Sequence, residues 1–113
     1  TFDDAKLIAH AIAKSPLCKT AAFGEDANWG RLLTAAGYSG AGFDANVCDV
    51  YIGDMITCEN GTGIEFDENR ALEILKKDEI EYIIDLKQGE FDFHMWTCDL
   101  SYDYVKINGS YRT

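Results

Sequence analysis

Apolar residues recur at two different periods in this chain, and the change from one to the other constrains the fold more than any other feature. Between residues 3 and 14, Leu7, Ile8, Ala11 and Ile12 fall at the three-to-four spacing of one helix face. Ser15-Pro16 ends that run, because a proline ring cannot continue a helix. In the final third the period is two. Ile80, Tyr82 and Ile84 alternate with polar neighbours, and Phe91, Phe93, Met95 and Thr97 do the same after Lys87-Gln88-Gly89-Glu90, which reads as a hairpin connection. Tyr102, Tyr104 and Lys106 then alternate with Asp103, Val105 and Ile107 as a third strand. A chain holding both periods is α/β (α+β), with helices interleaved among strands through the first two thirds and a closing three-stranded antiparallel meander.

The segments between these runs follow from local chemistry. Leu17 to Phe23 is a short apolar run closed by Gly24 and is expected to be a strand. Asn28 or Asp26 can cap a helix over 28–36 that ends at Gly37 and buries Trp29, Leu32 and Leu33. Val47 to Gly53 and Met55 to Cys58 read as strands, Asn60-Gly61 as a turn, and Asp67 as the cap of a helix running to Lys77.

At 113 residues the chain is expected to be one domain spanning 1–113. A chain of that size buries roughly two thirds of the surface its unfolded form exposes. Ten basic against twenty acidic residues give a formal charge of -10, which repels phosphate backbones and argues against a nucleic-acid partner. No apolar run approaches the ~20 residues of a membrane span, and no basic-then-apolar start resembles a signal peptide, so no membrane partner is expected. Cys18, Cys48, Cys58 and Cys98 contain no C-x-x-C pair and no nearby His to complete a zinc set, and they read as small buried apolar residues in a reducing compartment. Asn60-Gly61-Thr62 and Asn108-Gly109-Ser110 are glycan acceptors only in a secreted chain and are equally good Asn-Gly turns.

Few groups have a catalytic setting. Gly37, Gly40 and Gly42 follow a helix and precede a strand, the reverse of the order a phosphate-cradling loop needs. His10 is placed on the polar side of the first helix and His94 on the solvated face of a strand. The carboxylate pairs Asp3-Asp4 and Glu25-Asp26 suit helix starts, and no metal set is expected. An amino-terminal threonine can be a nucleophile with its own amine as base, but Thr1 leads directly into a helix and reads as a cap.

Longer stretches carry a resemblance. They are Ala5-Lys6-Leu7-Ile8-Ala9, Lys14-Ser15-Pro16-Leu17, Lys19-Thr20-Ala21, Phe23 through Arg31, Gly37-Tyr38-Ser39-Gly40 and the ending from Cys98 to Thr113. Through them the chain resembles the C-terminal part of the β chain of ornithine acetyltransferase, also called bifunctional glutamate N-acetyltransferase. The resemblance implies an enzyme of arginine biosynthesis whose precursor cuts itself at an Ala-Thr bond. The exposed threonine takes acetyl from N-acetylornithine and passes it to glutamate. In that family the nucleophile, its oxyanion donors, a substrate-binding lysine and the glutamate of a Gly-Glu-Gly-Ala segment all precede the region matched here, so the implication is a fragment with no catalytic residue of its own.

Two substrate-binding positions of the family carry over, the Asn of Ile107-Asn108-Gly109 and the closing Thr113. An asparagine amide donates to a carboxylate and accepts from an amine; a threonine supplies a hydroxyl and, where the chain ends on it, a carboxylate. The resemblance further implies an upstream α chain and the remainder of the β chain as partners in an α2β2 heterotetramer. It implies no cofactor, with acetyl-CoA as a donor in bifunctional members, and the cytoplasm, or the mitochondrial matrix in a eukaryote. The competing class is a non-catalytic binding or assembly module.

Overall fold

A computed structural model describes residues 1–110. Helix α1 spans Phe2–Lys14 and is capped by Thr1, whose Oγ1 accepts from the Asp4 backbone N–H at 3.2 Å. Asp3 and Asp4 lie in its first turn and Lys14 in its last, each on the side the helix dipole favours. The helix stops where the Ser15-Pro16 pair predicts.

The next element corrects the sequence expectation. Pro16–Phe23 is a helix, α2, and not a strand. Ser15 Oγ accepts from the Cys18 N–H at 3.2 Å, Pro16 occupies the first turn where its missing N–H costs nothing, and Gly24 closes the C-terminus. A Ser-Pro start therefore outweighs a short apolar run. Helix α3, Trp29–Gly37, is capped by Asn28, whose Oδ1 accepts from the Arg31 N–H at 3.1 Å.

A single 3-10 turn at Ala45–Val47 leads into β1, Asp49–Ile52. β2, Met55–Glu59, and β3, Thr62–Gly63, follow. Cys58 pairs with Gly63 and Glu59 with Thr62, leaving Asn60-Gly61 as a two-residue loop. Both residues have positive φ, 50° and 74°, the combination a hairpin of this length needs and the one an Asn-Gly pair supplies. Helix α4, Glu68–Leu75, begins at Asp67, whose Oδ1 accepts from the N–H groups of Asn69 and Arg70. β4, Tyr82–Asp85, then pairs antiparallel with β1, Val50 opposite Ile84, to give the sheet order β3-β2-β1-β4.

Two adjoining clusters form the core. Cys18 of α2 and Leu32 and Ala35 of α3 meet Val50 of β1 and Cys58 of β2. Ile52 of β1 meets Ile74 and Leu75 of α4. Tyr82 packs against both clusters. Burial pushes its phenol up to about 12, with Cys18 and Asp26 adding to the shift.

The closing meander does not form. Only its first strand, β4, is present; 91–100 has no regular structure and Tyr102–Ser110 is a helix, α5. The loop after β4 is held elsewhere. Lys87 Nζ donates to Asp49 Oδ2 and Asn60 Oδ1 at 3.0 and 3.1 Å. The Gln88 amide brackets the Asp44 backbone, donating to its carbonyl at 3.1 Å and accepting from its N–H at 3.2 Å. These bonds hold the loop against the turn before β1, so 91–97 does not fold back onto β4. Instead the segment follows α1 and α2 as a strap. The Phe93 ring lies 5.7 Å from Phe2 and 5.9 Å from His10, the Thr97 hydroxyl donates to the Ala13 carbonyl at 2.9 Å, and the Leu100 N–H donates to the Lys19 carbonyl at 3.2 Å.

Candidate functional site

Of the two residues singled out for substrate binding, Asn108 lies in α5, beyond the end of this strap. Ser101 starts α5, its Oγ accepting from the Tyr104 N–H at 3.0 Å and its carbonyl from Val105 at 3.1 Å. Tyr102 meets the Phe23 ring edge-on at 5.5 Å, and the Lys19 ammonium sits 5.3 Å from the centre of the Tyr104 ring. These contacts moor the first turn of α5 to α2. Asn108 lies one turn further on, exposed, with its Nδ2 donating to the Tyr104 carbonyl at 2.9 Å. That bond is the local back-bonding short polar side chains make inside helices. Thr113 lies outside the described residues.

The remaining candidates take structural places. Thr1 is the cap described above, and its ammonium lies 3.5 Å from Asp4. Asp26 accepts from the Asn28 amide at 3.2 Å, bracing the residue that caps α3. His10 is partly covered by Phe93, and His94 is exposed. Among the described residues no three His, Cys, Asp or Glu side chains gather as a metal site, and no helix is long and apolar enough to cross a membrane.

Cys18, Cys48 and Cys58 are buried, as expected, and Cys98 is exposed, contrary to expectation. It belongs to the strap and has no core to enter. Burial raises the three inner thiols; at Cys18 it outweighs the Ser15 hydrogen bond and the Arg31 charge, and at Cys48 and Cys58 nearby acids push the same way. They remain protonated thiols, which are poor nucleophiles.

Two arrangements gave no signal in the sequence. Asp49 is buried at 6% exposure in β1, accepting from the Asn60 N–H at 3.0 Å and from Lys87. The Asn60 and Lys87 hydrogen bonds lower its carboxyl below the usual range, and the same pairing raises Lys87. Both residues that reach it, Asn60 and Lys87, have positive φ, 50° and 55°, so the arrangement depends on backbone states a pattern search does not see. The second is a groove of about 180 Å³ between α2 and α3, lined by Ser15, Leu17, Arg31, Thr34, Ala35 and Tyr38. Arg31 Nη1 donates to the Leu17 carbonyl at 3.0 Å, which ties the first turn of α2 to α3.

Known proteins resemble this chain along its whole length. The ArgJ family profile matches residues 1–113. The arginine biosynthesis bifunctional protein ArgJ of Caldanaerobacter subterraneus is 59% identical over 117 residues, covering 100% of this chain and 29% of that protein. Its counterpart in Symbiobacterium thermophilum is 50% identical over 113 residues, covering 100% of this chain and 28% of that protein. The chain thus spans less than a third of the length of these curated relatives. The crystal structure of arginine biosynthesis bifunctional protein argJ from Bacillus halodurans superposes with a TM-score of 0.87 at 36% identity, over 98% of this chain and 53% of the solved one.

Proposed function

We infer function from one premise: this chain belongs to the ArgJ family, a family of arginine biosynthesis proteins. We propose that it is the C-terminal part of an acetyltransferase that moves an acetyl group from N2-acetylornithine to glutamate. In that reaction a threonine hydroxyl, supplied from outside these residues, attacks the acetyl carbonyl. Its proton goes to the departing amine, and ornithine leaves. The glutamate amine then attacks the acetyl-threonine ester, N-acetylglutamate departs, and the hydroxyl is restored. Acetyl-CoA serves as a further donor in bifunctional members, and the reaction belongs in the cytoplasm, or in the matrix of a mitochondrion.

The observation that carries the reading is the match at 59% identity covering the full chain. Chain lengths support a processed form. The same segment makes up 53% of the solved protein but 29% of a curated one, so the solved polypeptide is little more than half as long, as a precursor cut near its middle would be.

This piece completes the fold and the substrate pocket. Asn108 engages the amino-acid substrate through its amide, one N–H of which donates to the Tyr104 carbonyl, and Thr113 contributes a hydroxyl. Labelled N-acetylornithine and glutamate should show transfer when the chain is combined with the rest of the enzyme and none without it. Turnover by the isolated chain would overturn the reading. Asn108→Ala in the assembled enzyme removes one or two contacts worth roughly 1.5–3 kcal/mol each with charged partners, so catalytic efficiency should fall on the order of tenfold to a few hundredfold. Thr113→Val should weaken substrate binding more mildly.

A further inference from the structure

The polar side chains that line the groove between α2 and α3 are all hydrogen-bond donors. Ser15, Thr34 and Tyr38 bring hydroxyls and Arg31 a guanidinium, and no acid lines it, in a chain where acids outnumber bases twenty to ten. Other cations are spent on carboxylates, Arg70 on Asp54 and Lys87 on Asp49, but no acidic side chain pairs with Arg31 among the described residues. A guanidinium carries five N–H groups. Arg31 gives one, through Nη1, to the Leu17 carbonyl. Ser15 Oγ accepts from the Cys18 N–H and so keeps its own proton to donate. Beside these donors stands apolar surface with nothing over it. Leu17 is 60% exposed and Tyr38 86%, more than any other large hydrophobic side chain among the described residues, and Ala35 joins the groove to the core.

We propose that this groove binds a small monocarboxylate with an apolar body, its carboxylate on Arg31 and its body against Leu17, Ala35 and the Tyr38 ring. The occupant follows from charge, lining and size. A planar carboxylate matches the guanidinium fork and gives the partly buried Arg31 the countercharge it lacks. One cation suits one carboxylate, and with no acid in the lining there is no partner for an ammonium. A bare inorganic anion would leave the apolar side chains uncovered, so the ligand carries carbon as well. The groove holds about 180 Å³, the volume of roughly six waters at ~30 Å³ each, which is the size of a small metabolite. The assignment goes beyond the acetyl-transfer reading and does not depend on it.

Arg31 is its own reporter, because 2,3-butanedione modifies guanidinium groups and peptide mapping reads the rate at one arginine. The probe is phenylacetate, an apolar ring on a single carboxylate, added to the assembled enzyme. At ten times its dissociation constant it should slow modification of Arg31 about tenfold, by occupancy alone. Phenylacetamide, with the same shape and no charge, should not protect. Thr34→Phe fills the groove from an exposed position and leaves the Arg31 bond to Leu17 in place, so Arg31 should stay reactive in that variant and phenylacetate should no longer protect it. An unchanged rate with phenylacetate would overturn the proposal. So would equal protection by the amide, which would make the contact apolar only, or protection that survives Thr34→Phe, which would place the acid outside the groove. Arg31 that reacts only after unfolding would mean that another part of the assembly fills the groove, and would overturn it too.

Discussion

Residues 1–85 and residues 91–110 are built from similar amounts of apolar side chain and treat it in opposite ways. In the first region Val50, Ile52, Thr57, Cys48 and Cys58 are wholly buried, each helix is capped by a side chain or by Gly, and no buried side-chain polar atom lacks a partner among the described residues. In the second, nearly every residue is exposed and the attachments are three aromatic pairs, a lysine over a tyrosine ring, a hydroxyl bond and one backbone bond. The first region has the layered arrangement that lets both a helix stripe and a sheet face be buried. The second has apolar residues but no second layer to cover them.

The comparison breaks most clearly on core truncation. Ile52 is fully buried against Ile74 and Leu75, so Ile52→Ala should cost about 2–5 kcal/mol in urea unfolding of the chain, through lost transfer energy and the cavity left behind. Next comes the turn between β2 and β3. A Cβ on Gly61 would lie 2.5 Å from the Ala45 carbonyl oxygen at a φ of 74°. Gly61→Ala should therefore cost about 1–3 kcal/mol, since the neighbour is backbone and cannot rotate away. Removing a cap is smaller: Thr1→Ala or Asp67→Ala should cost about 0.5–2 kcal/mol and leave the rest of the core unchanged by hydrogen exchange.

The Asp49 and Lys87 pair sharpens the comparison through pH. Asp49 has a folded value below its unfolded one, so its contribution is complete above the ordinary carboxylate value of about 3.9 and is lost as pH falls through the lower folded value. Lys87 has a raised folded value, so its share is complete below the ordinary lysine value of about 10.4 and is lost as pH rises through the higher folded value. Asp49→Asn should therefore be less stable than the parent between those limits, and the gap should close in acid. A gap that persisted unchanged below pH 3 would show that the charge is not what stabilises this turn. The smallest effect belongs to the strap. Trp96→Ser should change the stability of the isolated chain by no more than about 0.5 kcal/mol. A loss comparable to that of Ile52→Ala would mean that Trp96 is part of the chain's own core.

Legibility in the sequence divides along the same line. The first helix, its stop at Ser15-Pro16, the caps at Asn28 and Asp67 and the Asn60-Gly61 turn could all be read because each is a contract among residues within four positions of one another. Pro16–Phe23 was also local, but a capping serine and an N-terminal proline carried more weight than apolar character. Of the two positions proposed to bind substrate, Asn108 was legible only as a resemblance; its bond to Tyr104 follows from the helix around it.

What the sequence determined by itself is the set of secondary-structure starts and stops, the interleaved class and the family, since these depend on short-range sterics, hydrogen bonding and residue identity. Whether 91–97 and 102–107 become strands was decided only in three dimensions. Alternation makes a segment able to be a strand, yet a strand must find a neighbour for its N–H and C=O groups. Lys87 and Gln88 hold the preceding loop away from β4, no edge reaches residues 102–107 among the described residues, and a helix satisfies that backbone within the segment itself.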